Sequence, residues 1–294
     1  MRANDPVHRS ANGMVLVSRY EDIREVSRAP HRYSSRRGAL VNDPLRATEP
    51  NDAAGSLLHL DPPLHADYRK LLNREFTPRA VGKMEATVRR MVAAAFDETL
   101  AAAAKADGVV DLVEQVALPI PVAVIADLLG MGDQDMADVR RWSDATIAIS
   151  DDPTDEVVAA VMEFVDFLRG HVQARFASPG DDLLSLLATS QVGDVPLTPA
   201  QVQLFCMTLM VAGNETTRSL ISGGALALAE HPDQRAALVA AIEAADRAGS
   251  SEAVQHAERA MAGAVEEMLR WVTPIQAFCR TAVDDLELGG AAVS

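Results

Sequence analysis

One stretch constrains this chain more than any other. Residues 197–232 read LTPAQVQLFCMTLMVAGNETTRSLISGGALALAEHP. Thr198 suits a helix cap, Pro199 suits the first helical position, and Gln201 stands three residues after the cap. Together they form a capping-box start. His231-Pro232 supplies the stop. About 32 residues at ~1.5 Å rise predict a helix of roughly 48 Å, long enough to cross a whole domain. Val202, Phe205, Cys206, Leu209, Gly213, Thr216 and Leu220 form one stripe, and apolar residues lie on the other sides too. A helix apolar nearly all round is a buried helix.

Gly213, Asn214, Glu215, Thr216 and Thr217 occupy its middle. A buried carboxylate and buried hydroxyls are costly unless something there uses them. Gly213 removes a side chain on the face that carries Thr216 and Thr217, so a flat or bulky partner could approach the backbone. The alternative is that Gly213 ends one helix and Asn214 caps the next.

The remaining pattern is also helical. Of 294 residues, 48% are hydrophobic and 23% charged, enough to bury a sizeable core in one large domain or two small ones. A net charge of -15 argues against nucleic acid and against an anionic membrane surface. Cys206 and Cys279 belong to no C-x-x-C pair, so neither a disulfide framework nor a zinc site is expected. The first residues lack an apolar signal region, and no run of about 18 apolar residues predicts a membrane span. A soluble, cytoplasmic protein is expected.

Along the chain, residues 14–17 read as a strand and 20–28 as a helix. Residues 36–58 are rich in Gly, Asn, Pro and Asp and read as a long loop, a frequent place for function. Asp61 is expected to cap a helix opened by Pro62 and Pro63, with His65 and Arg69 four apart on one face. Further helices are predicted at 81–106, 116–130, 135–149, 155–176, 181–189, 232–245 and 253–272. Asp151, Asp152 and Pro153 join two of them, and 192–196 reads as a turn. After Thr273 the pattern changes to strands at 275–282 and 286–293, the latter turning at Gly289-Gly290.

Four small constellations stand out. They are His65 with Arg69, the run Ala212-Gly213-x-Glu215-Thr216-Thr217, Glu267-x-x-Arg270, and Arg280 after Thr273-Pro274. Singly each has a bland explanation. Glu-x-x-Arg is among the commonest helix surface pairs, worth about 0.2–0.5 kcal/mol. Their order and spacing together are far more specific.

On these residues, with Asp61-Pro62-Pro63-Leu64-His65 and with Arg280 before residues 285–289, the chain resembles a soluble bacterial cytochrome P450, a haem-thiolate monooxygenase. The likeness runs from about Gly13 to Ser294. It implies a mainly α fold, a helical prism with small β-sheets, with 1–294 as a single domain incomplete at its C-terminus. It implies haem b as cofactor, O₂ and a small apolar substrate, and electrons from a ferredoxin and its NAD(P)H-dependent reductase or a similar donor. Thr216 would hydrogen-bond dioxygen or its water, and Glu215 would relay protons. Gly213 would leave room beside the ring. His65, Arg69 and Arg280 would hold the propionates, and Glu267 with Arg270 would form a buried structural ion pair.

The family's iron ligand is a cysteine in a Phe-x-x-Gly-x-x-x-Cys-x-Gly loop, which would lie beyond Ser294. Neither Cys206 nor Cys279 matches it, so no metal ligand is assigned, and the chain as it stands is expected to be inactive. The rival expectations are a haem-free helical binding module or a non-functional fragment. The Asn-Glu-Thr-Thr-Arg run, residues 42–46 (Asn-Asp-Pro-Leu-Arg) and residues 271–274 look most like members that oxidise steroids, terpenoids or fatty-acyl chains. Residues 36–58 and the helices around Ile147 to Val165 would line the pocket.

Overall fold

The structure, a computed structural model, describes residues 1–41, 56–132, 136–148 and 153–293. Residues 42–46, Asp151, Asp152 and the side chain of Ile147 lie outside the described residues. Among the described residues the chain is mainly helical, with four small two-stranded sheets.

The N-terminal part forms β1 (Val7–Arg9), β2 (Val15–Val17), α1 (Tyr20–Arg28) and β3 (Tyr33–Ser34). The predicted strand pairs with β1, whose three residues are too short a signal to stand out in sequence. Helices α2 (Leu64–Asn73), α3 (Pro78–Ala103), α4 (Pro119–Leu128), α5 (Met136–Ala148), α6 (Asp155–Ala177) and α7 (Leu183–Ala188) follow. The predicted turn at 192–196 is a hairpin of β4 (Gln191–Val192) and β5 (Val195–Pro196). Then come α8 (Pro199–Glu230), α9 (Pro232–Ala248) and α10 (Ser251–Val272). The chain finishes with β6 (Thr281–Ala282), β7 (Leu286–Leu288) and β8 (Ala291–Val293).

Helix α8 is the axis, and its 32 residues are continuous through Gly213. Asn214 therefore does not begin a second helix. The capping box at Thr198 and Gln201 is present, with Thr198 Oγ1 accepting from the Gln201 N–H and Gln201 Oε1 accepting from the Thr198 N–H. The buried stripe runs Val202, Phe205, Cys206, Met210, Asn214. The expected continuation through Leu209, Gly213 and Thr216 is only half-buried. A step of four from Cys206 to Met210 to Asn214 carries the buried line to the other side of Leu209.

Side chains from α2, α4, α5, α6 and α7 close over this stripe. Phe164, Leu168, Leu129, Leu184 and Leu187 are among the largest fully buried ones. Helix α2 reaches the first turns of α8 through Tyr68, which stacks on Phe205 at 6.2 Å and whose hydroxyl accepts from Gln201 Nε2 at 2.9 Å. At the other end, Gly223 and Gly224 let α10 close in, because a Cβ there would meet Val272 and Met268.

Two local expectations fail. Asp61 does not cap α2, whose first turn follows Pro63 without a side-chain cap. Its carboxylate instead accepts from Ser34 Oγ at 2.5 Å and the Ser35 N–H at 2.9 Å. Proline at positions 62 and 63 removes the two N–H groups nearest a cap, and the serines after β3 offer donors in their place. The strand at 275–282 is confined to its last two residues, which pair with β3.

Candidate functional site

Sheet pairing and the misjudged aspartate build the first cluster. Ser34 of β3 is opposite Thr281 of β6, and Ser34 also donates to Asp61, three residues before the first turn of α2 is under way. These links bring Arg280 to the end of α2. Burial, then the guanidinium charges of Arg69 and Arg280, hold the His65 imidazole below its ordinary range, with Asp61 opposing them. Arg69 and Arg280 are exposed, and among the described residues neither has a carboxylate partner. Arg280 Nη1 donates only to the carbonyl of Cys279 at 2.9 Å. Two guanidinium groups beside a half-buried imidazole, with no carboxylate partner among the described residues, are suited to hold a carboxylate. The three predicted residues are thus brought together, and their chemistry fits haem propionates.

The second cluster is the middle of α8. Thr216 Oγ1 donates to the Ala212 carbonyl at 2.7 Å, one turn back. Ala212 is exposed, so Ala212 and Thr216 mark the open face of the helix. The Glu215 side chain is 42% exposed and so is not the buried carboxylate expected from an apolar helix. The space expected at Gly213 is taken: a Cβ there would stand 3.0 Å from Ile125 Cδ1 of α4. Gly213 admits a neighbouring helix, and the open approach lies one residue earlier.

The third cluster is the Glu267–Arg270 pair on α10. It forms a two-bond fork, at 2.7 Å from Nε and 2.5 Å from Nη2. It is not buried: the two side chains are 60% and 63% exposed. Arg270 lies over the Trp271 ring at 5.8 Å. The pair borders a groove of about 560 Å³ between α8, α9 and α10, lined by Ala227, His231, Ala260, Met268 and Trp271 among others. Solvent reaches this face of α10 among the described residues, which is why the expected burial is missing.

The two cysteines differ in their surroundings. Cys206 is fully buried, and burial pushes its thiol up to about 12. A thiol so held stays protonated at neutral pH. Cys279 is half-buried, and its N–H donates to the Ala39 carbonyl at 2.7 Å. Among the described residues no group of His, Cys, Asp and Glu is arranged to hold a metal ion. No helix among them is long and apolar enough to cross a membrane.

Sequence inspection missed Ser143 and Asp144 near the second cluster and gave Asn214 and Arg218 no part in the site. Asn214 is 0% exposed, and its Nδ2 donates to Ser143 Oγ of α5 at 2.5 Å. Arg218 Nη1 donates to Asp144 Oδ1 at 3.2 Å, and its Nη2 lies 4.0 Å from Glu215 Oε1. One signal was available: Glu215-x-x-Arg218 repeats the spacing of Glu267-x-x-Arg270. The partners on α5 had none, since only packing brings α5 to α8.

The chain is similar to known proteins along its whole length. Residues 152–294 match the family model described as Cytochrome P450. The chain is 32% identical to a steroid C26-monooxygenase of Mycobacterium tuberculosis (strain CDC 1551 / Oshkosh), over 100% of its own length and 72% of that protein's. It is 34% identical to a vitamin D(3) 25-hydroxylase of Pseudonocardia autotrophica, over 100% of its length and 68% of the relative's. Among solved structures, Mycobacterium marinum cytochrome P450 CYP268A2 in complex with pseudoionone superposes with a TM-score of 0.78 at 31% identity, covering 99% of this chain and 67% of that one.

Proposed function

This chain belongs to the cytochrome P450 family of haem-dependent monooxygenases, and from that premise we propose that it serves oxidation of an apolar substrate of steroid, terpenoid or fatty-acyl type. The relatives named for steroid and vitamin D oxidation support the substrate class. The observation that carries the site assignment is the open face of α8, where Thr216 and Ala212 meet solvent beside Glu215. Residues 1–294 form one domain on this reading. Electrons come from a ferredoxin with its NAD(P)H-dependent reductase or a similar donor, in the cytoplasm.

His65, Arg69 and Arg280 hold the haem propionates. Charge-assisted hydrogen bonds from two guanidinium groups fix the carboxylates, and His65 adds a ring N–H donor. The haem, when bound, supplies O₂ activation and insertion of one oxygen atom into a C–H bond. Every other step belongs to the polypeptide. Thr216 presents a hydroxyl on the open face of α8, and while its hydrogen is bonded to the Ala212 carbonyl its outward lone pairs can accept a hydrogen bond from a water that would stand between it and the reacting oxygen. Glu215, with 42% of its side chain in solvent, would take a proton from bulk water and pass it to the water held at that hydroxyl. Gly213 contributes by letting Ile125 close the back of the helix, which keeps bulk water to one side.

The test is Thr216→Ala in the haem-loaded, full-length protein with substrate, reductant and O₂. Haem binding and the substrate-induced spectral change are expected to persist. Product per NAD(P)H falls and hydrogen peroxide rises, by up to about 10²-fold, the low end of a general acid–base contribution. Thr217→Ala is expected to do less. Parent-like coupling in Thr216→Ala overturns the assignment.

A further inference from the structure

Two Glu-x-x-Arg pairs with the same helical spacing behave differently. On α10, Arg270 closes on Glu267 as a fork at 2.5 and 2.7 Å. On α8, Arg218 stays 4.0 Å from Glu215. The spacing alone allows the fork, so something withholds it. That something is on α5. Arg218 Nη1 is bonded to Asp144 at 3.2 Å, and the next residue back, Ser143, receives the Asn214 amide at 2.5 Å. Ser143 and Asp144 thus meet Asn214 and Arg218, which lie one turn apart and bracket Glu215, Thr216 and Thr217. Among the described residues Glu215 has no other ion-pair partner.

We propose that Asp144 is a positioning residue for Glu215: it draws the Arg218 guanidinium away, leaving the Glu215 carboxylate unpinned beside Thr216. The inference rests on the reading that Glu215 relays protons. A relay group must swing between a donor in solvent and an acceptor at the reacting face, and a two-bond fork to arginine would hold it still. Asp144 is suited to the competition. Its carboxylate accepts from Arg218 Nη1 at 3.2 Å; burial raises its pKa, with Arg218 and then Arg140 opposing that rise. The Ser143–Asn214 bond fixes α5 in register with α8, so the reach from Asp144 to Arg218 is constant.

The proposal makes opposite predictions for Asp144 and for the arginine it restrains. Asp144→Asn should let Arg218 collapse onto Glu215 as Arg270 does onto Glu267, and product formation should fall about ten-fold, less than the ~10²-fold of losing an acid–base group outright. Arg218→Gln should leave Glu215 unpinned and product formation near that of the parent. The double variant Asp144→Asn/Arg218→Gln should recover what Asp144→Asn lost, which a purely structural role for Asp144 would not allow.

The experiment is a crystal structure of the haem-loaded Asp144→Asn protein, with turnover measured for both single variants, the double variant and Glu215→Gln. An Arg218–Glu215 distance reduced to ~2.8 Å, a hydrogen bond, with recovery in the double variant, supports the proposal. A distance that remains near 4.0 Å, or no recovery, overturns it. Collapse of the pair with parent-like turnover in both Asp144→Asn and Glu215→Gln supports the positioning and instead removes the relay role of Glu215.

Discussion

The side-chain amide of Asn214 and the hydroxyl of Ser143 meet at 2.5 Å across the contact of α8 and α5, with 0% and 1% of the two residues exposed. The other end of the amide, Oδ1, is buried without a partner among the described residues. Ser143→Ala removes the one bond this amide makes and should destabilise by ~1–3 kcal/mol, the cost of a stranded buried polar group. Ser143→Ala/Asn214→Leu removes both partners and the orphan oxygen, and should be nearer to the parent than Ser143→Ala alone. Urea unfolding, read as a midpoint shift at constant slope, checks this. A double variant as unstable as the sum of the singles contradicts it.

The Arg175–Asp182 pair predicts a response to acid. Arg175 donates from Nε at 2.9 Å, the Ser185 N–H donates at 2.8 Å, and the side chains are only 21% and 17% exposed. Burial pushes the Asp182 carboxyl up, but the bonds from Arg175 and Ser185 outweigh it and leave the carboxyl below its ordinary value. A depressed carboxyl contributes stability above its unfolded pKa of ~3.9 and loses it as pH falls through the folded value. Asp182→Asn should cost about 2 kcal/mol at pH 7, between an exposed and a fully buried pair, and should flatten the stability profile below pH ~4. Guanidinium melts across pH 2–7 would measure it, on the order of a dozen points.

Gly130 tests the same pair from the backbone. It sits at φ +71, and a Cβ there would run into the Asp182 carboxylate. Arg175 Nη2 also donates to its carbonyl at 2.7 Å. Gly130→Ala should therefore destabilise by more than the ~1 kcal/mol that strain alone costs. It should be less harmful in an Asp182→Ser background, where the clashing carboxylate is gone. Equal loss in both backgrounds would assign the effect to the backbone alone.

For the carboxylate receptor, Arg69→Ala or Arg280→Ala should weaken haem binding about ten- to a hundred-fold, the worth of a hydrogen bond to a charged group at ~1.5–3 kcal/mol. His65 gives a second readout. Its imidazole is held low by burial and two arginines, so it is neutral at pH 7 in the haem-free protein. Bound propionates add negative charge and should raise its titration midpoint, which NMR of the ring protons follows. A depressed imidazole favours the fold above its unfolded pKa and opposes it as pH falls through the folded value, so Arg69→Ala should lessen that acid sensitivity.

Glu267→Ala separates two expectations for α10. A buried pair would make the substitution ruinous to the fold. The pair found is exposed on both sides, so the thermal midpoint of residues 1–294 should match the parent's. A large drop in that midpoint would mean the pair is covered in solution.

The sequence by itself determined the helices and their order. Local rules suffice for α8, where a capping threonine, a proline at the first position and a proline stop define both ends. They suffice also for α1, found over the predicted residues, and for the turn at Gly289-Gly290, where both glycines take positive φ. The motif residues of the candidate site stand out in sequence for the same reason: His65 with Arg69, and Glu215 with Thr216, are neighbours along one helix.

Only the tertiary structure decided which side of each helix meets water and which distant residues meet each other. The period of an α-helix drifts around its axis, so an almost wholly apolar α8 does not say that Asn214 is inside and Ala212 outside. Glu267 and Glu215 begin identical four-residue patterns, yet one is forked to its arginine and the other is not. The difference is Asp144, 71 positions from Glu215 in the chain and brought within reach by the packing of α5 on α8. Likewise Asp61 reads as a cap until the β3–β6 pairing presents serine donors from another element. A carboxylate goes to whichever donor the completed fold sets nearest, and that proximity is written in no local stretch of sequence.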